Sequence, residues 1–242
     1  MKKKIVDIVM TVLLLFLMAY QVTGEKLHEW FGIAMTVLLI IHHILNRKWY
    51  GALFKGRYNS YRVITTVNNM LLLASIALTA FCGMSMSGYA VPFLYGMTPI
   101  SFARQFHLAM SYWSFVLMGI HLGLHIPAMI SKLKLSGKKR MILTGIFAVI
   151  AGYGFFLFLR NNIWDYMSFR NPFAFLDYEK AKALVIAENL LMLCCWAFIG
   201  TQIADLCMSR AKKQKPWLPV VFAMAAVIIG SVLGLLIRTP GF

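Results

Sequence analysis

Apolar positions along this chain neither alternate nor keep to one helical face. They come in runs of about twenty, divided by short polar stretches. Seven runs stand out, at 5–22, 27–46, 66–87, 105–130, 141–159, 183–207 and 217–237. A helix of about 20 apolar residues crosses the hydrocarbon core of a bilayer, and it satisfies its own backbone hydrogen bonds there. The pattern predicts an all-α, polytopic membrane bundle of about seven transmembrane helices. The first run follows "MKKK", an opening shared with signal peptides. Its apolar part is longer than the roughly 7–15 residues of a signal core, and no small-residue cleavage site follows. It reads as a retained membrane helix, with a signal anchor as the lesser reading.

Composition agrees: 60% of the 242 residues are hydrophobic and 13% charged, and mean hydropathy is +0.73. The formal charge of +16 suggests nucleic acid until its placement is followed. Lys2, Lys3 and Lys4 precede the first run. Arg47, Lys48, Lys55, Arg57 and Arg62 lie between the second and third. Lys132, Lys134, Lys138, Lys139 and Arg140 follow the fourth, and Arg210, Lys212, Lys213 and Lys215 the sixth. These are alternate loops, so they share one side, and the positive-inside pattern makes that side cytoplasmic. On the other side Lys26, Arg104, Arg160, Arg170, Lys180, Lys182 and Arg238 are offset by Glu25, Glu29, Asp165, Asp177 and Glu179. The expected topology has the amino terminus inside and the carboxyl terminus outside. The partner of the basic charge is then membrane lipid, and no nucleic acid is expected.

Cys82, Cys194, Cys195 and Cys207 all fall in apolar runs, and none belongs to a haem-attachment or zinc-spaced motif. Adjacent Cys194 and Cys195 read as small packing residues rather than a disulfide. The connection 160–182, "RNNIWDYMSFRNPFAFLDYEKAK", has the aromatic content of a segment lying in the membrane interface, or of a shelf for an extracellular partner. All six histidines precede residue 126. This divides the chain near 136 into a four-helix region, 1–135, that carries the chemistry and a three-helix region, 136–242, of unassigned role.

The histidines are spaced. His28 and His42 are separated by thirteen residues, and so are His107 and His121. Fourteen helical steps bring the second imidazole to within about 40° of the first and about 21 Å along the axis. Both helices are entered from the same side and so run parallel. His28 can then meet His107 at the outer depth, and His42 can meet His121 at the inner depth. Paired neutral imidazoles on facing helices suit the two axial positions of a haem, whose apolar macrocycle fills the space between bundle helices. Intramembrane ionisable residues mark function by default. His43 and His125 leave the inner ligands open: His43 is displaced by about 60° in the other sense, while His125 lies five turns from His107 and about 6 Å deeper than His121. Equal spacing favours His42 with His121, leaving His125 as a propionate partner or alternate ligand. Gly32, Gly83, Gly88, Gly119 and Gly123 are available for close approach of a macrocycle. Arg104 and Lys26 outside, and Arg47, Lys48 or Arg62 inside, are available for propionates.

The double His-x13-His pattern resembles the dihaem b-type membrane cytochromes, among them respiratory cytochrome b, the formate dehydrogenase membrane subunit and the ferric reductase transmembrane domain. The stretches "LHEWFGIAMTVLLIIHHILNRKWY" and "ARQFHLAMSYWSFVLMGIHLGLH" are similar to one small bacterial group, the flavinylation-associated cytochromes. The likeness covers about residues 5–130. It implies two haem b groups held by His28, His107, His42 and His121, with His43 and His125 as neighbours. It also implies a multi-pass protein of the bacterial cytoplasmic membrane that relays electrons toward an extracellular FMN-carrying protein. No FMN-binding domain is expected in this chain itself.

Bis-histidine ligation leaves iron no open position, which favours electron transfer over oxygen chemistry. Quinol or a cytoplasmic reductase is the expected donor. A quinol site needs a proton acceptor, and Glu188 and Asp205 are the buried-looking acids; solvation at a helix end, or pairing with Asn189 or Gln202, is the ordinary role of each. The rival readings are a histidine-based metal or proton transporter and a haem-free sensor or assembly protein. A transporter calls for acids among the histidines, and in the sequence only Glu29 stands near one.

Overall fold

The computed structural model describes residues 2–133 and 137–211, among which there is no strand. The helices are α1 (Lys2–Met18), α2 (Tyr20–Leu45), α3 (Lys48–Ala52), α4 (Ser60–Ser85), α5 (Ile100–Lys132), α6 (Gly137–Arg160), α7 (Ile163–Met167) and α8 (Lys182–Ala211), with a 3-10 turn at Pro92–Leu94. Five of them, α2, α4, α5, α6 and α8, are long and apolar enough to cross a membrane. The expected run at 217–237 lies outside the described residues.

The first two expected runs form an antiparallel hairpin. Hydrogen bonding carries the helical path past Ala19, whose carbonyl accepts from the Val22 and Thr23 amides. The reversal comes at Gly24, at φ 67° and ψ 172°, a conformation glycine reaches without steric cost. Across the hairpin Lys3 Nζ donates to Asn46 Oδ1 at 3.1 Å, so α1 begins where α2 ends.

α4 starts at Ser60, six residues before its apolar run. Asn59 sits in extended geometry and its side chain accepts from the Arg62 amide at 2.8 Å, an ordinary N-cap. α4 and α5 pack antiparallel along a ladder of polar contacts. Tyr61 OH donates to the Leu124 carbonyl at 2.9 Å, Asn68 Nδ2 to the Leu117 carbonyl at 3.3 Å, and Ser114 Oγ to Ser75 Oγ at 3.0 Å. In an apolar interior each satisfies a group that lipid could not.

α5 and α8 are in backbone contact. A Cβ at Gly123 would lie 2.0 Å from the Ala197 carbonyl oxygen, and one at Gly200 would lie 2.4 Å from that of Ile120. α6 meets α8 the same way at Gly154, 2.1 Å from the Leu191 oxygen. Small residues allow such approach in membrane bundles. Met10, Leu14, Met35, Leu72, Phe115, Leu157 and Leu193 belong to one buried cluster, so helices on both sides of residues 134–136 share a core.

The aromatic connection is only partly a surface element. Ile163, Tyr166 and Met167 of α7 are buried, and the Trp113 indole donates to the Met167 carbonyl at 3.1 Å. Phe173, Phe175 and Tyr178 are exposed. All four cysteines are free.

α2 is the exception to this close packing. It lies along α1, touches α4 lightly, and buries only Met35. Its link to the α4–α5 unit is polar. The Glu29 carboxylate accepts from Ser87 Oγ at 2.7 Å and from the amides of Gly88, Tyr89 and Ala90 at 3.0, 2.8 and 2.8 Å.

Candidate functional site

His28 on α2 and His107 on α5 do come together. Their ring centroids are 5.9 Å apart with the planes at 76°. Imidazole–metal bonds are about 2 Å long. With about 1 Å from each nitrogen to its ring centre, two imidazoles on opposite sides of one metal atom stand about 6 Å apart. The pair has that spacing.

Hydrogen bonding orients His107. Its Nδ1 lies 2.9 Å from the Thr79 carbonyl oxygen, which can only accept. The proton therefore sits on Nδ1, and Nε2 keeps its lone pair. Gly83 holds the ring from behind: a Cβ there would be 3.0 Å from His107 Cε1. His28 carries the edge of Tyr20 at 5.1 Å. Its Nδ1 is buried without a hydrogen-bond partner. One turn along the same face of α2, a Cβ at Gly32 would meet nothing within 4 Å. A buried imidazole nitrogen without a partner fits a site built to receive a group.

At the other level the arrangement is looser. His121 Nδ1 lies 2.8 Å from Asn69 Oδ1, and His42 Nδ1 lies 2.8 Å from Asp7 Oδ1. The same orientation recurs, Nδ1 toward an oxygen and Nε2 left over, although Asn46 Nδ2 stands 3.5 Å from His42 Nε2. His42 lies within electrostatic range of both His121 and His125 rather than in ring contact with either. His125 is exposed and touches His121 edge-on at 4.9 Å. His43 is turned to Tyr50, whose hydroxyl lies 2.6 Å from its Nδ1.

Other expectations fare differently. Gly119 and Gly123 are not a cradle for a macrocycle, because α8 fills the space beside both. Arg62 is engaged in its own loop, donating to the Ala52 and Arg57 carbonyls and stacking on Tyr58. Arg104 lies 6.0 Å from the Phe173 ring centre. Neither acid considered for proton transfer pairs with Asn189 or Gln202: Glu188 is ion-paired with Lys180 at 2.5 Å, and Asp205 with Arg140 at 2.9 Å.

The expectation that only Glu29 among the acids stands near a histidine fails, because Asp7 reaches His42 from the facing helix. Asp7, Asn69 and Thr79 are the site residues that sequence reasoning missed. Asp7 was the findable one, as the single acid inside the first apolar run. Among the described residues no group of three or more His, Cys, Asp or Glu side chains is placed to hold a metal ion; the imidazoles come as pairs. No protein family, curated protein or solved structure matches this chain.

Proposed function

We propose that this chain is a b-type dihaem membrane cytochrome that relays electrons across the bacterial cytoplasmic membrane, within a seven-helix bundle whose dihaem core is formed by the first four spans. The observation that carries the reading is the His28–His107 pair, 5.9 Å apart, with one imidazole oriented through Nδ1 and the other left with a buried unsatisfied nitrogen. A single core histidine is ordinarily satisfied by its neighbours. Two that face each other across α2 and α5, helices with little backbone contact, are better explained by a shared ligand.

His28 and His107 would hold one haem, and His42 and His121 the other. Each bound haem supplies a one-electron iron couple. The protein's part is to fix the imidazoles. Thr79, Asn69 and Asp7 take the Nδ1 protons and leave the Nε2 lone pairs for iron, the outer-shell arrangement that orients metal-bound histidine. The α4–α5–α8 packing holds His107 and His121 on one rigid helix, and Glu29 holds α2 against it. Held by two imidazoles, each haem would supply electron transfer rather than oxygen chemistry. Quinol or a cytoplasmic reductase is the proposed donor, and an extracellular FMN-carrying protein of the flavinylation-associated systems the proposed acceptor. Basic loops at the His42 end support a cytoplasmic position for that end.

The test is transfer across a sealed membrane. Purified protein in liposomes loaded with dithionite should reduce external ferricyanide, and liposomes with His28→Ala His107→Ala protein should not. A proton or metal transporter predicts instead no electron transfer, and histidine-dependent movement of protons or Zn2+.

A further inference from the structure

The two levels differ in what their imidazoles lean on. His107 donates to the neutral Thr79 carbonyl and His121 faces the neutral Asn69 amide oxygen, while His28 leaves its Nδ1 without a partner and has only the Leu17 backbone to bond. His42 alone of the four is hydrogen-bonded to a carboxylate, with Asp7 Oδ1 2.8 Å from its Nδ1; Glu29 acts on His28 only through space. The contact is braced. Asn46 bonds both the His42 carbonyl at 2.9 Å and Lys3 Nζ at 3.1 Å, which ties α1 to the end of α2.

A carboxylate accepting the ring proton shifts an imidazole toward imidazolate and makes its other nitrogen a stronger donor. A stronger anionic donor set favours the more highly charged, oxidised metal and lowers its reduction potential. The fixed negative charge acts in the same direction through space, but Glu29 does so at His28 as well, so the direct hydrogen bond is what separates the two levels. Cations at this end, Lys3 among them, act oppositely, but Lys3 is exposed, and exposed charges are screened within about 8–10 Å at ordinary salt. Asp7 itself is half exposed, 47%, which moderates its field without removing its hydrogen bond.

We propose that Asp7 is a positioning residue that sets the potential of the site at His42 below that of the site at His28 and His107. Electrons then run downhill from the His42 level to the His28 level, outward in the proposed topology. The inference rests on the dihaem reading and adds to it a direction built into the chain.

The test is an equilibrium redox titration of the purified protein at fixed pH, followed in the haem α-band, on the parent, Asp7→Asn and Asp7→Glu. Asn keeps an acceptor oxygen for the imidazole and removes the charge, so a merely structural role leaves the midpoints alone. The expected result is two midpoints in the parent. In Asp7→Asn the lower one rises while the higher holds, the ferric low-spin EPR signal of one haem shifts, and Asp7→Glu returns both toward the parent. Unchanged midpoints in Asp7→Asn, or movement of the higher one, overturn the proposal. If Asp7→Asn fails to fold, Asp7→Glu decides: a lower midpoint kept near the parent value supports it, and one raised despite the retained charge overturns it. A parent protein without haem removes the dihaem reading itself, a failure distinct from either.

Discussion

Glu29 is the polar tie between α2 and the α4–α5 unit, and its two oxygens are loaded unequally. Oε2 accepts three hydrogen bonds, from Ser87 Oγ and the Tyr89 and Ala90 amides, while Oε1 accepts one, from the Gly88 amide. Glu29→Ala removes all four. Gly88 and Tyr89 are exposed, so water replaces the carboxylate there. Ser87 is buried and Ala90 half-buried, and hydrogen bonds to a charged group contribute about 1.5–3 kcal/mol each. A loss of about 3 kcal/mol follows. Glu29→Gln can keep its amide oxygen at the Oε2 position and turn its NH2 toward the exposed Gly88 amide, which limits the cost to about 1 kcal/mol. For a chain of this size 1 kcal/mol moves Tm by about 2–4 °C. Glu29→Ala should therefore melt about 6–12 °C below the parent, and Glu29→Gln about 2–4 °C below. The assay is thermal unfolding in detergent, read by helix ellipticity and by reaction of the buried Cys82 with a thiol dye. Equal melting of parent and Glu29→Ala, or equal losses in the two variants, refutes the reasoning.

Gly123→Leu, placed against the Ala197 carbonyl, should cost about 3 kcal/mol or more and collapse the yield of folded protein in detergent, while Gly32→Ala, facing open space, should express and melt like the parent. His43→Ala should keep the full haem content by pyridine haemochrome assay, because that ring is directed at Tyr50, whereas His42→Ala should lose one haem. Arg140→Ala strips the partner from Asp205, itself 20% exposed; discounting for solvent, the cost is about 1 kcal/mol, and the exchanged pair Arg140→Asp Asp205→Arg should regain part of it in the same melting assay.

The helices were legible in the sequence because lipid demands uninterrupted apolar length, and no tertiary detail is needed to see it. Their ends were less so. Hydropathy places the start of α4 near 66, but the Asn59 cap starts it at Ser60, a local signal that hydropathy does not weigh. The helical spacing, together with the expected topology, brought His28 and His107 to one level. It could not find Thr79, Asn69 or Asp7, whose contacts with the histidines are set by how separate helices cross and not by any local pattern. Gly119 and Gly123 were misread for the same reason. A small residue announces a close neighbour without saying which, and here the neighbour is α8.

The central claim is that imidazoles on α2 and α5 hold haem at two levels. It is tested most directly by the haem-to-protein ratio of chain purified from haem-replete cells, alongside His28→Ala and His42→Ala. The account predicts two haems per chain in the parent and one in each single variant. A colourless parent, or variants that retain the parent ratio, would contradict it.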